Sequence, residues 1–425
     1  MNTEQKSKNK TVTFGCRLNI YESQVMADLA SQAGLEETTI VNTCAVTAEA
    51  ERKAVKSIRR LHRQNPHQKI IVTGCAAQIN PEKFLALEGV TKVLGNHDKM
   101  KPESFLETSE RRIVSDIMAV KETATHLVSS FDEKTRAFIE IQNGCNHRCT
   151  FCTIPFGRGN SRSVPLGMLV DQIQHLVDKG IHEIVFTGVD ITSYGEDLPM
   201  EITLGKMIRR VLMNVPGLKR LRLSSIDPVE FDDELFDLFK TEKRLLPHIH
   251  ISLQAGDNMI LKRMKRRHLR EDVIEFCTRM RQLRPDITFG CDIIAGFPTE
   301  TEEMFQNSLD LLTTCDISYF HVFPYSPRPD TPAARMPQVK REIIKDRAQR
   351  LRLLGEQQLQ KTFARFQGHS VEVMIEKDQT GRTEHFCPLI PNEKLEPGTV
   401  VKVTITGHTE THLTGTVIKL IGFQN

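Results

Sequence analysis

Three cysteines fall within eight residues at Cys145-Asn146-His147-Arg148-Cys149-Thr150-Phe151-Cys152, a CxxxCxxC spacing. Three thiolates in one tight loop can hold three irons of a four-iron cluster and leave the fourth iron open to a small molecule. A structural zinc site is the competing chemistry; it needs a fourth ligand, which His147 could supply. Cys16, Cys44 and Cys75 are far apart in sequence, yet each ends a short apolar or β-branched run: Thr13-Phe14-Gly15-Cys16, Val41-Asn42-Thr43-Cys44 and Thr73-Gly74-Cys75. They read either as buried apolar cysteines or as a second set of three ligands. Cys277, Cys291, Cys315 and Cys387 form no metal spacing and are expected to pack in the interior.

Strands and helices must carry these thiols. Thr11–Gly15, Thr39–Asn42, Lys69–Thr73 and Thr91–Leu94 are strand-like, with helical spacing over Asn19–Ala33 and Val46–Leu61. Alternation of this kind predicts a parallel sheet covered by helices, and ligands bind at the carboxyl ends of such strands. All three of the dispersed thiols would then share one sheet edge. From Ala137 to about Ser326 a second alternating block has strand candidates at Phe138–Gln142, Glu183–Thr187, Arg220–Ser224, His248–Ser252, Thr288–Ile294 and Tyr319–Phe323. Six β/α units are too few for an eight-stranded barrel, so a partial barrel or an open parallel sheet is expected. Gln338 to Phe366 reads as one basic helix, after Pro337 and before Gly368. Beyond it, period-two runs at Ser370–Glu376, Val400–Thr406 and Gly415–Leu420 predict a small all-β module. The resulting division is residues 1–105, a linker or small hairpin over 106–135, a core over 136–336, the basic helix over 337–367 and the β module over 368–425.

Bulk composition narrows the class. The chain has 425 residues, 39% hydrophobic and 26% charged, which excludes wholesale disorder. Mean hydropathy is −0.32, and no apolar run approaches the ~20 residues of a membrane helix. The polar stretch Met1–Lys10 does not resemble a signal peptide, so a cytoplasmic location is expected, where thiols stay reduced and cysteine clusters serve metals or catalysis. A net charge of +3 says nothing about nucleic acid by itself. Local basic segments say more. The 338–366 helix carries Lys340, Arg341, Lys345, Arg347, Arg350, Arg352, Lys361 and Arg365, and Lys262-Arg263-Met264-Lys265-Arg266-Arg267-His268 follows a strand; both could meet phosphates or simply face solvent.

A CxxxCxxC loop after the first strand of a six-unit barrel resembles the radical S-adenosylmethionine superfamily. With the triad Cys16, Cys44 and Cys75 ahead of it, the chain resembles the methylthiotransferase family of that superfamily over nearly its whole length. The resemblance implies an α/β fold: a Rossmann-like amino-terminal domain, a partial (βα)6 TIM-like barrel and a carboxy-terminal TRAM module, matched at Gly381-Arg382-Thr383-Glu384-His385-Phe386 and Leu395-Glu396-Pro397-Gly398-Thr399-Val400. It implies two [4Fe-4S] clusters, one on Cys145, Cys149 and Cys152 and an auxiliary one on Cys16, Cys44 and Cys75. It implies that Gly188, Asp190, Ser252, Gln254, Asp292 and Gly296 line S-adenosylmethionine, and that Arg158 and Arg162 in Gly157-Arg158-Gly159-Asn160-Ser161-Arg162-Ser163 meet substrate. Radical chemistry of this type belongs to the cofactor, so no side chain need act as acid or base.

The wording of the motifs is most similar to the branch acting on threonylcarbamoyladenosine in tRNA, at Gln142–Gly159, at Thr187-Gly188-Val189-Asp190-Ile191-Thr192-Ser193-Tyr194-Gly195 and at His321-Val322-Phe323-Pro324-Tyr325-Ser326. The branches acting on isopentenyladenosine in tRNA or on a ribosomal-protein aspartate are the alternatives. The implied partners are tRNA and an electron donor such as flavodoxin or ferredoxin, with no membrane. With no Trp and four Tyr, base stacking would fall to Phe or Arg.

Overall fold

The computed structural model describes residues 9–106, 108–121 and 135–422. Met1–Lys8 of the polar amino terminus and residues 107 and 122–134 of the expected 106–135 linker lie outside them. Contacts divide the chain into two units. The first comprises residues 1–129, 138–164 and 326–331; the second comprises 130–137, 165–325 and 332–425.

In the first unit, β1 (Lys10–Thr13), β2 (Thr38–Thr43), β3 (Lys69–Gly74), β4 (Val90–Leu94) and β5 (Arg112–Ile113) form one parallel sheet in sequence order. Between them run α1 (Arg17–Gln32), α2 (Ala48–Gln64), α3 (Cys75–Ile79) and α4 (Pro81–Leu85). Strand β5 lies in the segment expected as a linker; at two residues it is too short to leave a periodic signal. β2 is buried along its whole length, as a central parallel strand with helices over it must be. Val41, Ile70, Val72 and Val93 from the sheet close on Ile58 and Leu61 of α2 and on Phe84 of α4. Helix α2 starts where the Thr47 hydroxyl accepts the Ala50 N–H at 3.1 Å, with Glu49 and Glu51 in its first turn and His62 and Arg63 in its last, the arrangement the helix dipole favours.

β6 (Ala137–Glu140) leads into a compact hairpin whose strands β7 (Gln142–Asn143) and β8 (Arg162–Ser163) pair antiparallel around the CxxxCxxC loop and the short helix α5 (Ile154–Arg158). Gly144 opens this loop at φ +73, where a Cβ would stand 1.9 Å from the Asn160 carbonyl oxygen. Glycine is the residue that permits both the angle and the approach.

The second unit continues with α6 (Leu166–Asp178), β9 (Glu183–Thr187), α7 (Leu204–Asn214), β10 (Arg220–Leu223), β11 (Ser225–Ile226), α8 (Asp233–Thr241), β12 (His248–Gln254), α9 (Asn258–Met264), α10 (Arg270–Leu283), β13 (Thr288–Ala295), α11 (Glu302–Thr314) and β14 (Tyr319–Pro324). β9 pairs with β10, and β11 to β14 pair in sequence order; every pairing is parallel, as a partial barrel requires. Helix α12 (Arg341–Phe366) packs on β14. Then β15 (Ser370–Ile375), β16 (Gly381–Thr383), β17 (Pro388–Pro391), β18 (Val400–His408) and β19 (Leu413–Gly422) close a five-stranded barrel over Val373, Leu389, Val401 and Val403. Cys277, Cys291, Cys315 and Cys387 are all buried, as their spacing implied.

One buried carboxylate organises part of the link between the β module and the core. Glu183, with no solvent exposure, receives Arg220 at 2.7 Å, Arg222 at 2.9 Å and Arg136 at 3.2 Å. Arg222 also donates to the carbonyls of Thr383 and Glu384, and Arg136 pairs with Glu376. Burial alone would raise the Glu183 pKa, but the three guanidiniums outweigh it and hold it far below the usual carboxylate range. Glu183→Gln keeps the shape and leaves three buried cations without their counter-charge. Loss of one partner of a buried pair costs ~3–5 kcal/mol, so the variant is expected to unfold at clearly lower denaturant concentration, read by circular dichroism. An unchanged midpoint would contradict the role given to this carboxylate.

Candidate functional site: two thiol triads in one unit

Cys16, Cys44 and Cys75 sit at the carboxyl ends of three adjacent parallel strands. Cys16 caps the start of α1, Cys44 follows β2 directly, and Cys75 is the first residue of α3 after β3. Gly15 lets the first two meet. Its φ is +101, and a Cβ there would lie 2.8 Å from Cys44 Cβ and 3.0 Å from Cys44 Sγ. The thiols influence one another's ionisation. Burial pushes Cys44 up to about 12, and the neighbouring Cys75 and Cys16 add to the rise. Cys16 has solvent access as a residue, but the protein mass around its sulfur raises its pKa as well, with Arg158 opposing. A bound metal favours the thiolate form of such cysteines, and its binding releases their protons. Three thiols at adjacent strand ends, near enough to act on one another's charge, suit a soft iron–sulfur cluster better than a hard cation.

Cys145, Cys149 and Cys152 belong to the same unit and are half-buried. Backbone amides point at sulfur in both triads, always from two residues further on: Val46 N–H to Cys44 Sγ at 3.5 Å, His147 N–H to Cys145 Sγ at 3.4 Å and Ile154 N–H to Cys152 Sγ at 3.4 Å. Such donors stabilise negative charge on ligand sulfur and tune a cluster's potential. The two triads are cross-linked by short bonds. Thr153, just past Cys152, donates to the carbonyl of Ala45, just past Cys44, at 3.3 Å. Asn96 Nδ2 donates to the Gly157 carbonyl at 2.5 Å and to Cys75 Sγ at 3.6 Å.

Arg158 holds the arrangement together. It is 1% exposed and makes a two-pronged pair with Glu22, also 1% exposed, at 2.8 and 3.0 Å. It also donates to Asn19 at 2.7 Å and to Asn143 at 3.1 Å. Lys99, wholly buried, donates to Glu22 at 2.6 Å and to Asn96 at 2.7 Å. Burial works against the charge on Arg158, but Cys75, Glu22 and Cys16 together raise its pKa well above the usual value. The same cations outweigh burial at Glu22 and lower its pKa. The expected substrate contact of Arg158 is thus replaced by a structural one: its guanidinium is spent on Glu22, Asn19 and Asn143. Arg162 is buried too and donates to the carbonyls of Asn160 at 2.8 Å and Arg158 at 3.0 Å, so it shapes the turn instead of facing outward. The RG-x-x-RS string carries no sign of this. Glu22 does: it falls on the helical stripe of Leu18, Tyr21, Val25 and Leu29, where a carboxylate must be paired.

The residues expected to line S-adenosylmethionine lie in the second unit, at or near the carboxyl ends of its strands. Gly188 and Asp190 follow β9, and Asp190 accepts from the Thr192 hydroxyl at 3.2 Å. Ser252 and Gln254 end β12, where the register shifts and Gln254 takes φ +70, an unusual angle for a residue with a Cβ. The Ser252 carbonyl is held by Arg266 at 2.8 Å, and the Gly296 N–H donates to Glu300 at 3.0 Å. Asp292 on β13 lies between His250, at 3.0 Å, and His321, at 3.2 Å, and they lower its pKa despite its burial.

Both expected phosphate-binding segments have part of their charge paired. On α12, Arg347 pairs with Glu300, Arg350 with Glu302, and Lys361 and Arg365 with Asp316. In the 262–268 run, Arg266 pairs with Asp227 and Arg267 with Glu230. The exposed basic stripe on α2, at Arg52, Lys53, Lys56, Arg59, Arg60 and Arg63, went unremarked in the sequence because α2 was read only for its buried face.

Known proteins agree with this layout. The radical SAM superfamily model matches residues 139–312, and the model described as uncharacterized protein family UPF0004 matches residues 8–95. The chain is 53% identical to the threonylcarbamoyladenosine tRNA methylthiotransferase MtaB of Rickettsia prowazekii, covering 96% of both chains. It is 34% identical to the protein of the same name from Aquifex aeolicus, over 92% of this chain and 98% of that one. It is 32% identical to the tRNA-2-methylthio-N(6)-dimethylallyladenosine synthase of Ehrlichia canis, over 82% and 83%. Among solved structures, the radical S-adenosylmethionine methyltransferase TsrM of Kitasatospora setae, described with cobalamin and a [4Fe-4S] cluster bound, shares the fold at a TM-score of 0.54 and 17% identity, over 75% of this chain and 70% of that one.

Two outcomes follow from the buried charges. Arg158→Gln leaves Glu22 and the loop without their shared link; by the ~3–5 kcal/mol of a broken buried pair, its denaturation midpoint should fall well below wild type, and an unshifted midpoint would refute the link. Glu140, hydrogen-bonded to Asn143, is pushed up to about 7 by burial and by the nearby Glu22. A carboxyl whose folded pKa is raised stabilises fully below its unfolded value of about 4.3, and that contribution is lost as pH climbs through about 7. Glu140→Gln should therefore gain thermal stability relative to wild type as pH rises from 4.5 to 8; a pH-independent difference in Tm would contradict the assignment.

Proposed function

We propose that this chain, which belongs to the radical S-adenosylmethionine methylthiotransferase family, converts N6-threonylcarbamoyladenosine in tRNA to its 2-methylthio derivative. The observation that carries the reading is the pair of thiol triads in one unit, joined to near full-length identity of 53% with a protein named for that activity. Identity with the dimethylallyladenosine synthase is lower, at 32%, which places the isopentenyl substrate second.

Cys145, Cys149 and Cys152 would hold one [4Fe-4S] cluster, and Cys16, Cys44 and Cys75 the auxiliary one. When bound, the clusters and S-adenosylmethionine supply a deoxyadenosyl radical, a methyl group and a resting place for sulfur. The chain's own residues do the rest. The amides of Val46, His147 and Ile154 support negative charge on ligand sulfur, and the Arg158–Glu22–Lys99 network fixes α1 against the cluster loop. Gly188, Asp190, Ser252, Gln254, Asp292 and Gly296 are assigned to the S-adenosylmethionine side, where backbone and carboxylate oxygens suit its ammonium group. The carboxy-terminal barrel, residues 368–425, is assigned as a TRAM module that contacts tRNA. A one-electron donor such as flavodoxin or ferredoxin would reduce the protein, and we assign it to the cytoplasm, the reducing compartment that thiol-ligated clusters require. No helix among the described residues is long and apolar enough to cross a membrane.

Nucleosides of tRNA from a strain lacking this protein test the reading. The methylthio form of threonylcarbamoyladenosine should be missing, return with wild type and stay missing with Cys149→Ala. Anaerobically purified wild type should carry about eight irons, and the Cys16→Ala/Cys44→Ala/Cys75→Ala variant about four. Loss of only the isopentenyl derivative would overturn the substrate, and equal iron in both proteins would overturn the auxiliary cluster.

A further inference from the structure

The outer face of α2 carries a dense stripe of basic residues. Lys56, Arg59, Arg60 and Arg63 are exposed and fall within eight residues, and Arg52 extends the stripe one turn toward the helix start. Arg52, Lys56, Arg59 and Arg63 follow a spacing of four, three and four, which lines them along one edge of the helix over ~16 Å at 1.5 Å per residue. Among the described residues, none of Lys56, Arg59, Arg60 and Arg63 has an acidic partner or a side-chain hydrogen bond. Their neighbours Lys53 and Lys83 do: they pair with Glu49 and Glu51. Four like charges over two turns repel one another, and helix packing does not need them, because the buried face of α2 is Ala54, Ser57, Ile58 and Leu61. Arg52, Lys56, Arg59 and Arg63 of the stripe line a surface groove of about 770 Å³ together with Val55, Lys83 and Leu87, and Arg60 lies beside it on the same helix. Glu88 is the single carboxylate on its rim.

We propose that this groove is a docking surface for the phosphodiester backbone of tRNA. The proposal rests on the function inferred above and goes beyond it, because it moves the principal phosphate contact from α12 to α2. Charge complementarity favours this choice. On α12 four of the seven cations are paired with Glu300, Glu302 or Asp316, whereas on α2 four consecutive ones are not. Arginines presented in series suit a row of phosphates, each guanidinium offering a fork of donors. Such contacts position a nucleic acid without reading its bases.

The test uses the cluster-loaded protein and the variant Lys56→Gln/Arg59→Gln/Arg60→Gln/Arg63→Gln. All four positions are exposed, so thermal stability should match wild type. Binding of labelled tRNA isolated from the deletion strain is measured between ~50 and ~200 mM salt. The expected result is a loss of at least roughly tenfold in affinity near 0.1 M salt, with the log–log salt slope shallower by about 0.7–0.9 for each phosphate contact removed. Unchanged affinity and slope overturn the proposal. So does a variant that keeps its tRNA affinity but loses reduction by an acidic donor protein while still being reduced by dithionite, since the groove would then serve that donor. Failure of the functional reading looks different: wild type itself would bind tRNA yet form no methylthio product.

Discussion

The ion pair between Arg158 and Glu22 is the constraint on which the site depends. It joins two stretches of chain separated by 136 residues, in an interior that would otherwise exclude both charges. Desolvating two ions is unfavourable and is offset only by close geometry and further hydrogen bonds. Both are present: two prongs to the carboxylate, Asn19 and Asn143 on the guanidinium, and Lys99 on the other side of Glu22. An apolar pair could pack as well, but it would not fix direction. The planar fork of Arg158 fixes the angle at which the CxxxCxxC loop leaves its hairpin, and Glu22 relays that angle to the helix whose first residue follows Cys16.

The same network sets the electrostatics of the auxiliary triad. Burial raises the pKa of Cys16 and Cys44, and Arg158 is the nearby cation that opposes this effect at both. A guanidinium that is always charged is a better permanent counter-ion than an ammonium, whose pKa burial lowers, as it does at Lys99. Conserving net charge around a cluster is one of the few means a protein has to tune its potential, the others being hydrogen bonds to sulfur and solvent access. This unit would offer all three to a cluster held there: Arg158, an amide two residues after a cysteine, and the contrast between exposed Cys16 and buried Cys44 and Cys75.

Much of this could be read from the chain alone. Strand-then-cysteine runs at Gly15-Cys16, Thr43-Cys44 and Gly74-Cys75 located the first triad, because a parallel strand's carboxyl end is a geometric certainty once the strand is recognised. Charges were harder. Sequence shows where lysines and arginines are but not what faces them. Arg158 looked like a substrate contact until Glu22 was seen beneath it, and α12 looked free until Asp316 and Glu302 were seen beside it. Partners 45 to 136 residues away leave no local pattern. Strand β5 was lost for another reason: two residues carry no period.

One consequence concerns the order in which the protein is made. The first unit is not a contiguous piece of chain; its cluster hairpin ends at residue 164, and a last strip, 326–331, bonds to α2 through Ser326 to the Ala48 amide and Arg328 to Glu51. Cys75 therefore leaves the ribosome roughly 80 residues before Arg158 can cover it. At ~5–20 residues per second, that interval lasts several seconds. During it three thiols and Glu22 have no guanidinium beside them, so the window most open to stray metals and oxidants falls before the fold is complete, and assembly of this unit is tied to the pace of translation.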